Sequence, residues 1–335
     1  MKKRMSWRRV ESQGISILNG ILGDYLVESG NPLAIDMGFY HQSRLLEPDH
    51  LTPLIDQYSQ GDGVAPLERC PVKLVVLLHG LTNDETIWDF PLRETMDQPA
   101  SITDQSTSEF GRDNYGLRLA RDARYIPLYL RYNTGLKIMD NAHRFSALMT
   151  QFVNASPVEV DEIVCIGFSM GGLLLRYAQL LEHESTQNWL HKVSRVFYLG
   201  SPHSGAPLEK LGHIAGKVLG VVPRSYVNIW ADWVNIRSQG IKDLRHGVNF
   251  GPDQDEYLPF NDAVRHFFIS GAVSSEKNRF ANQMVGDALV RVDSARPANA
   301  PALSEYAHFD ATHHLALAHS DRVYEQILKW CQNQL

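Results

Sequence analysis

Glu162-Ile163-Val164-Cys165-Ile166-Gly167-Phe168-Ser169-Met170-Gly171-Gly172-Leu173-Leu174-Leu175 joins two hydrophobic patterns. Glu162 to Ile166 is a short apolar run, as expected of a strand buried on both faces. Leu173, Leu174, Leu175, Tyr177, Ala178, Leu180 and Leu181 continue with helical spacing. Ser169 sits on the turn between them, flanked by Gly167, Gly171 and Gly172. A tight strand-to-helix turn forces its central residue into a strained conformation and needs small neighbours. Glycine in a helix costs roughly 1 kcal/mol against alanine, so two glycines opening one point to a steric demand. The turn puts Ser169 at the helix N-terminus, where the Met170 backbone N–H and the helix dipole face a developing negative charge. G-x-S-x-G alone is common by chance. Its position between a buried strand and an apolar helix makes Ser169 a candidate nucleophile.

Outward from this turn, the chain alternates strands and helices. Further apolar runs lie at Lys73 to Leu78, Tyr125 to Leu130, Arg195 to Leu199 and His266 to Ile269. The stripe Ile138, Ala142, Phe145, Met149 and Phe152 lines one helix face. A last helical stripe holds Val323, Ile327 and Trp330, with Ser320 placed to cap it. The expected fold is α/β: a mostly parallel central sheet flanked by helices, over residues 71–335. Residues 1–70 read as an N-terminal helical arm packed on that core, with Ile15 to Val27 its apolar helix. Leu208 to Gly251 has no strand signal and carries Val227, Ile229, Trp230 and Trp233 in a helical context. It is read as a helical cap inserted between two core strands.

Composition narrows the function classes. The chain has 335 residues, 44% hydrophobic and 21% charged, with a formal net charge of −6. That charge disfavours a chain built to neutralise phosphate backbones, so no nucleic-acid partner is expected. Cys70, Cys165 and Cys331 are odd in number and widely spaced, unlike a zinc site or a disulfide framework. No metal or cofactor is expected, and reduced cysteines suit a cytoplasmic protein. Lys2, Lys3, Arg4, Arg8 and Arg9 are followed by Glu11, Ser12 and Gln13, not by the apolar run of a secretory signal. This basic start, with Ile15 to Val27, also allows peripheral contact with an anionic membrane surface. Packing of that apolar face against the body is the simpler reading.

A serine hydroxyl needs a base, and the base an orienting acid. After an elbow of this kind they follow in the order acid, then histidine. His313 and His314 lie just before the last helix. His314 is preferred, because Leu315 and Leu317 follow as an anchor. His319, His308 and His266 read as surface or core residues. Asp287, Asp293 and Asp310 all remain open as the acid. The second oxyanion donor should come from the loop after the first core strand, His79-Gly80-Leu81-Thr82. The Leu81 N–H is the natural donor, Gly80 permits close approach, and His79 reads as structural.

Several segments together resemble bacterial esterases and lipases of the α/β-hydrolase superfamily, with kinship to lipase-like deacylases acting on glycosylphosphatidylinositol. They are Leu78 to Leu81, Leu130-Arg131-Tyr132-Asn133-Thr134-Gly135, the Ser169 turn, Leu199 to Leu208, Arg237 to Arg245, and Gly286-Asp287-Ala288-Leu289-Val290. The resemblance runs from about residue 72 to the C-terminus, and the set is far more specific than any member. It implies Ser169, Asp287 and His314 as a catalytic triad, and Leu81 and Met170 as oxyanion donors. Phe168 stands where the family often has histidine, Ala288 where it often has glycine, and Arg291 where it often has proline. None of these removes a catalytic group. Pro202-His203-Ser204-Gly205 resembles a structural segment, so His203 is not assigned to catalysis.

The resemblance implies hydrolysis of a carboxylic ester, through an acyl-enzyme, on a small-molecule acyl ester or lipid with an apolar acyl part. An acyltransferase or thioesterase would use the same triad. A non-catalytic lipid-binding protein on the same fold is the reading from another class.

Overall fold

The computed structural model describes residues 7–59, 71–90, 113–183, 189–205, 238–247, 249–250, 256–273, 290, 294–297 and 299–333. Asp287 and Asp293, and most of the expected cap, lie outside them.

Among the described residues, eight strands form one sheet: β1 (Gly38–His41), β2 (Arg44–Leu46), β3 (Val72–Leu78), β4 (Tyr125–Arg131), β5 (Val160–Phe168), β6 (Val193–Leu199), β9 (Arg265–Gly271) and β10 (Glu305–Phe309). Their order is β10-β9-β6-β5-β3-β4-β1-β2. All pairs from β10 across to β4 are parallel, whereas β1 runs antiparallel to both β4 and β2. The five apolar runs read from the sequence are β3, β4, β5, β6 and β9. The short β7 (Asn249–Phe250) and β8 (Glu256–Tyr257) pair apart from the sheet. β7 falls at the end of 208–251, where the sequence shows no strand signal, because two residues are too few to leave a hydrophobic pattern.

Parallel strands need helical crossovers, and these cover both faces. Leu74, Val76 and Leu78 point to one face, with Leu54 of α2 (Leu51–Ser59), Phe145, Met149 and Phe152 of α4 (Ile138–Ala155) and Leu174 and Ala178 of α5 (Met170–His183). Val75 and Leu77 point to the other, with Leu119 of α3 (Tyr115–Ala123) and Val323, Ile327 and Trp330 of the C-terminal helix (Asp321–Gln332). The Ser320 side chain does not cap that last helix. Its backbone N–H instead donates to the Tyr115 hydroxyl oxygen at 2.8 Å, and its carbonyl accepts Tyr324 N–H at 2.9 Å. No helix among the described residues is long and apolar enough to cross a membrane.

The N-terminal helix α1 (Trp7–Glu28) is kinked at Leu22 and crosses the loops that follow β3 and β4. Its buried face is Ser16, Asn19, Gly20, Ile21, Gly23 and Leu26, which recur at helical spacing. Ile15, Ile17, Leu18 and Leu22 are only half-buried. The helix therefore docks by small and polar residues together with the aliphatic Ile21 and Leu26.

Candidate active site

The turn after β5 supplies the strain anticipated for a nucleophile. Ser169 is a non-glycine residue at φ +53°, in the left-handed region that L-residues rarely adopt. Its N–H bonds Leu199 O at 2.8 Å, and its carbonyl receives Gly172 N–H at 3.1 Å. The strand ladder thus runs to Ser169, and the helix starts on it. Each nearby glycine answers a close approach. A Cβ on Gly171 would lie 2.5 Å from Leu78 O and 2.7 Å from His79 O, and one on Gly167 would lie 2.6 Å from Gly172 Cα. One on Gly80 would come within 2.9 Å of Ser169 Cβ, so the loop after β3 touches the turn after β5.

Two backbone donors flank this contact. Met170 opens α5, where a helix N–H has no intrahelical acceptor. Leu81 is held indirectly. Gly80 O accepts His79 Nδ1–H at 3.0 Å and Asn83 N–H at 3.2 Å. Because the trans peptide sets C=O and N–H in opposite directions, a fixed Gly80 carbonyl fixes the direction of the Leu81 N–H. Among the described residues, no acceptor is bonded to the Leu81 N–H.

His79 itself is fully buried and stacks on Tyr132, ring centroids 4.5 Å apart. Tyr132 N–H donates to His79 Nε2 at 3.4 Å, and the Tyr132 hydroxyl to His79 O at 2.9 Å. Burial pushes the His79 imidazole down to about 4, so it is neutral at pH 7, with its proton on Nδ1. Both ring nitrogens are committed to the backbone, which makes it a strut. Nearby Asp84 feels burial, which raises its pKa, but hydrogen bonds from Thr86 and Ser12 and the Arg131 charge bring it below the usual value. Burial raises Glu85 above its usual value, although Arg131 Nε donates to it at 2.7 Å.

His314 opens the 3-10 turn His314–Ala318 and is only 4% exposed. Its ring lies against Phe168, centroids 4.8 Å apart. A Cβ on Gly200 would sit 3.0 Å from its Cε1 and Nδ1, and φ +59° at Gly200 is a second reason for glycine there. His314 thus packs between the residue before Ser169 and the residue after β6. His313 is exposed, and its Nδ1 accepts Ala316 N–H at 3.3 Å as a helix cap.

The other histidines are engaged elsewhere. His319 bonds Ile87 O at 3.2 Å, and His266 lies between the Tyr198 hydroxyl and Asn261 O. His308 bonds the Ser270 hydroxyl at 2.8 Å and faces Asp310 at 3.5 Å. His203 is fully buried beside the Arg176 guanidinium, and burial drives its pKa well below 6.5. Among the described residues no cluster of His, Cys, Asp or Glu could hold a metal ion. The sequence reading missed Thr134 and Asn133, which tie the loop after β3 to α1. Only the segment Leu130 to Gly135, noted as a block, pointed toward them.

No known family model matches the chain, and no curated protein matches its sequence. Solved structures do. A mature lipase from Bacillus licheniformis superimposes with TM-score 0.50 at 18% identity, over 80% of this chain and 96% of that one. An esterase from Rhodococcus sp. gives 0.43 at 14% identity, over 78% and 91%. A carboxylesterase from Bacillus subtilis gives 0.40 at 10% identity, over 87% and 100%. The chain has the α/β-hydrolase fold.

Proposed function

We propose that this protein hydrolyses carboxylic esters by nucleophilic catalysis, with Ser169 as nucleophile, His314 as base and Asp287 as the acid. The observation that carries the reading is the left-handed Ser169 turn, contacted on one side by Gly80 and flanked through Phe168 by the buried His314 ring. A strained serine with a histidine and a donor loop around it matches the demands of acyl transfer. The likeness of fold to a lipase supports esters as the substrate class. Trp230 and Trp233 in the expected cap segment favour an apolar acyl part.

His314 takes the Ser169 proton as the hydroxyl oxygen attacks the ester carbonyl carbon. The tetrahedral oxyanion is stabilised by the N–H groups of Leu81 and Met170. His314 then protonates the departing alcohol as the carbon–oxygen bond breaks. Water, deprotonated by the same imidazole, releases the acid and restores Ser169. Asp287 orients the imidazole and stabilises its charged form.

Wild type should hydrolyse short p-nitrophenyl esters and bind a fluorophosphonate covalently, and Ser169→Ala should do neither. Wild-type turnover by Ser169→Ala would overturn the assignment. An acyl-length series on the same enzyme then reads the acyl preference.

A further inference from the structure

Thr82, beside the Leu81 donor, is a β-branched residue at φ +62°. That conformation is costly and has to be held by its surroundings. On one side, the Thr82 N–H donates to the Thr134 hydroxyl oxygen at 3.1 Å. On the other, Leu81 O accepts the Thr82 hydroxyl at 2.7 Å and the Asn83 amide at 2.9 Å. Both ends of the Leu81–Thr82 peptide are therefore fixed, and among the described residues one hydrogen-bonding group that fixes it comes from outside the loop. That group is the side chain of Thr134, which is 1% exposed.

The Thr134 segment is itself fastened to α1. Asn133 Nδ2 donates to Gly23 O at 3.0 Å, while Asn133 Oδ1 accepts Gly135 N–H at 3.0 Å. Asn141 Nδ2 donates to Asn133 O at 2.9 Å. A side chain on Gly23 would collide with the Asn133 amide, and one on Gly135 with Asn19 O. On the same helix face, a Cβ on Gly20 would lie 3.1 Å from Thr82 Cα. The Ser238 hydroxyl donates to Gly20 O at 2.7 Å, and the Ser12 hydroxyl to Asp84 at 2.8 Å, so α1 is tied along its length.

We propose that Thr134 is a positioning residue for the oxyanion loop, and that α1 clamps it there through Gly20 and Asn133. This rests on the reading of Leu81 as an oxyanion donor. Thr134 does not touch the reacting atoms. Its hydroxyl oxygen fixes the Thr82 N–H, and thereby the backbone carrying the Leu81 N–H. Without that acceptor the left-handed Thr82 turn can relax, and the donor leaves its position. The ground state loses little, because the oxyanion exists only after attack.

The test compares Thr134→Val, which keeps the shape and removes the acceptor, with Thr134→Ser, which keeps the acceptor. Thr134→Ala is a second acceptor-free variant, should valine not be accommodated. Each is assayed with a p-nitrophenyl ester and with a trifluoromethyl ketone, which forms a tetrahedral adduct on a nucleophilic serine. We expect Val and Ala to lower kcat on the order of tenfold to a hundredfold, with KM within about twofold. Ketone affinity should fall in parallel, fluorophosphonate should still label to completion, and Thr134→Ser should restore turnover. Wild-type kcat in both acceptor-free variants, or an equal loss in Thr134→Ser, overturns the proposal. Ser169→Ala separates the two levels: if it is inactive while Thr134→Val runs at full rate, the positioning role alone fails. If Ser169→Ala turns over normally, the nucleophile reading fails and takes this proposal with it.

Discussion

The imidazole of His314 is tilted 42° against the ring of Phe168, with centroids 4.8 Å apart. Phe168 is the last residue of β5 and directly precedes Ser169, so a single buried ring couples the proposed base to the proposed nucleophile. A smaller side chain there should loosen His314 without touching substrate. Phe168→Leu is expected to lower kcat about tenfold with KM little changed. Steady-state kinetics on a soluble ester check it; an unchanged kcat would show that His314 is held by other contacts alone.

The neighbouring histidines should separate cleanly. His314→Ala removes the proposed base and should lower kcat by about a thousandfold or more. His313→Ala removes a helix cap on the surface and should leave kcat within about twofold. The reverse pattern, a dead His313→Ala beside an active His314→Ala, would exchange the two roles.

Legibility in the sequence followed burial. β3, β4, β5, β6 and β9 lie inside the sheet with both faces covered, and such strands must be apolar throughout. Edge strands escape that demand. β2 carries Arg44, and β10 carries Glu305 and His308 with Tyr306 exposed, so neither leaves a continuous run. Ser169 was readable because its turn imposes glycine on three neighbours. Thr134 was not, because its part is one side-chain acceptor serving a backbone group 52 positions earlier, which leaves no local pattern. Ser320 misled for a related reason: the Tyr115 hydroxyl, from far back in the chain, engages its backbone.

The left-handed turn at Ser169 should be visible in stability. A non-glycine residue in that region costs about 1–2 kcal/mol, which glycine relieves. Glycine also gains roughly 0.4–1 kcal/mol of unfolded-chain freedom, which offsets part of it. Ser169→Gly should therefore be inactive yet more stable than Ser169→Ala by about 0.5–1 kcal/mol. Urea unfolding of the two variants measures the difference, and a less stable Ser169→Gly would contradict the strain.

Stability should also fall as the solution turns mildly acidic, through histidines that burial keeps neutral. Burial lowers His79 and His266 to about 4, and lowers His203 well below 6.5. In the unfolded chain each titrates near 6.5. Between pH 6.5 and 4 the unfolded state therefore binds more protons than the folded one, so unfolding becomes easier as pH falls. The contribution is fully present above pH 6.5 and is lost on the way down to about 4. For His79 alone the span corresponds to roughly 3 kcal/mol. His266 offers the cleaner test, because it lies away from the proposed catalytic groups, between Tyr198 and Asn261. His266→Gln removes one titrating group, so its urea midpoint should drop less than that of wild type between pH 7 and pH 5. Equal drops in the two proteins would mean that His266 does not contribute to the acid sensitivity.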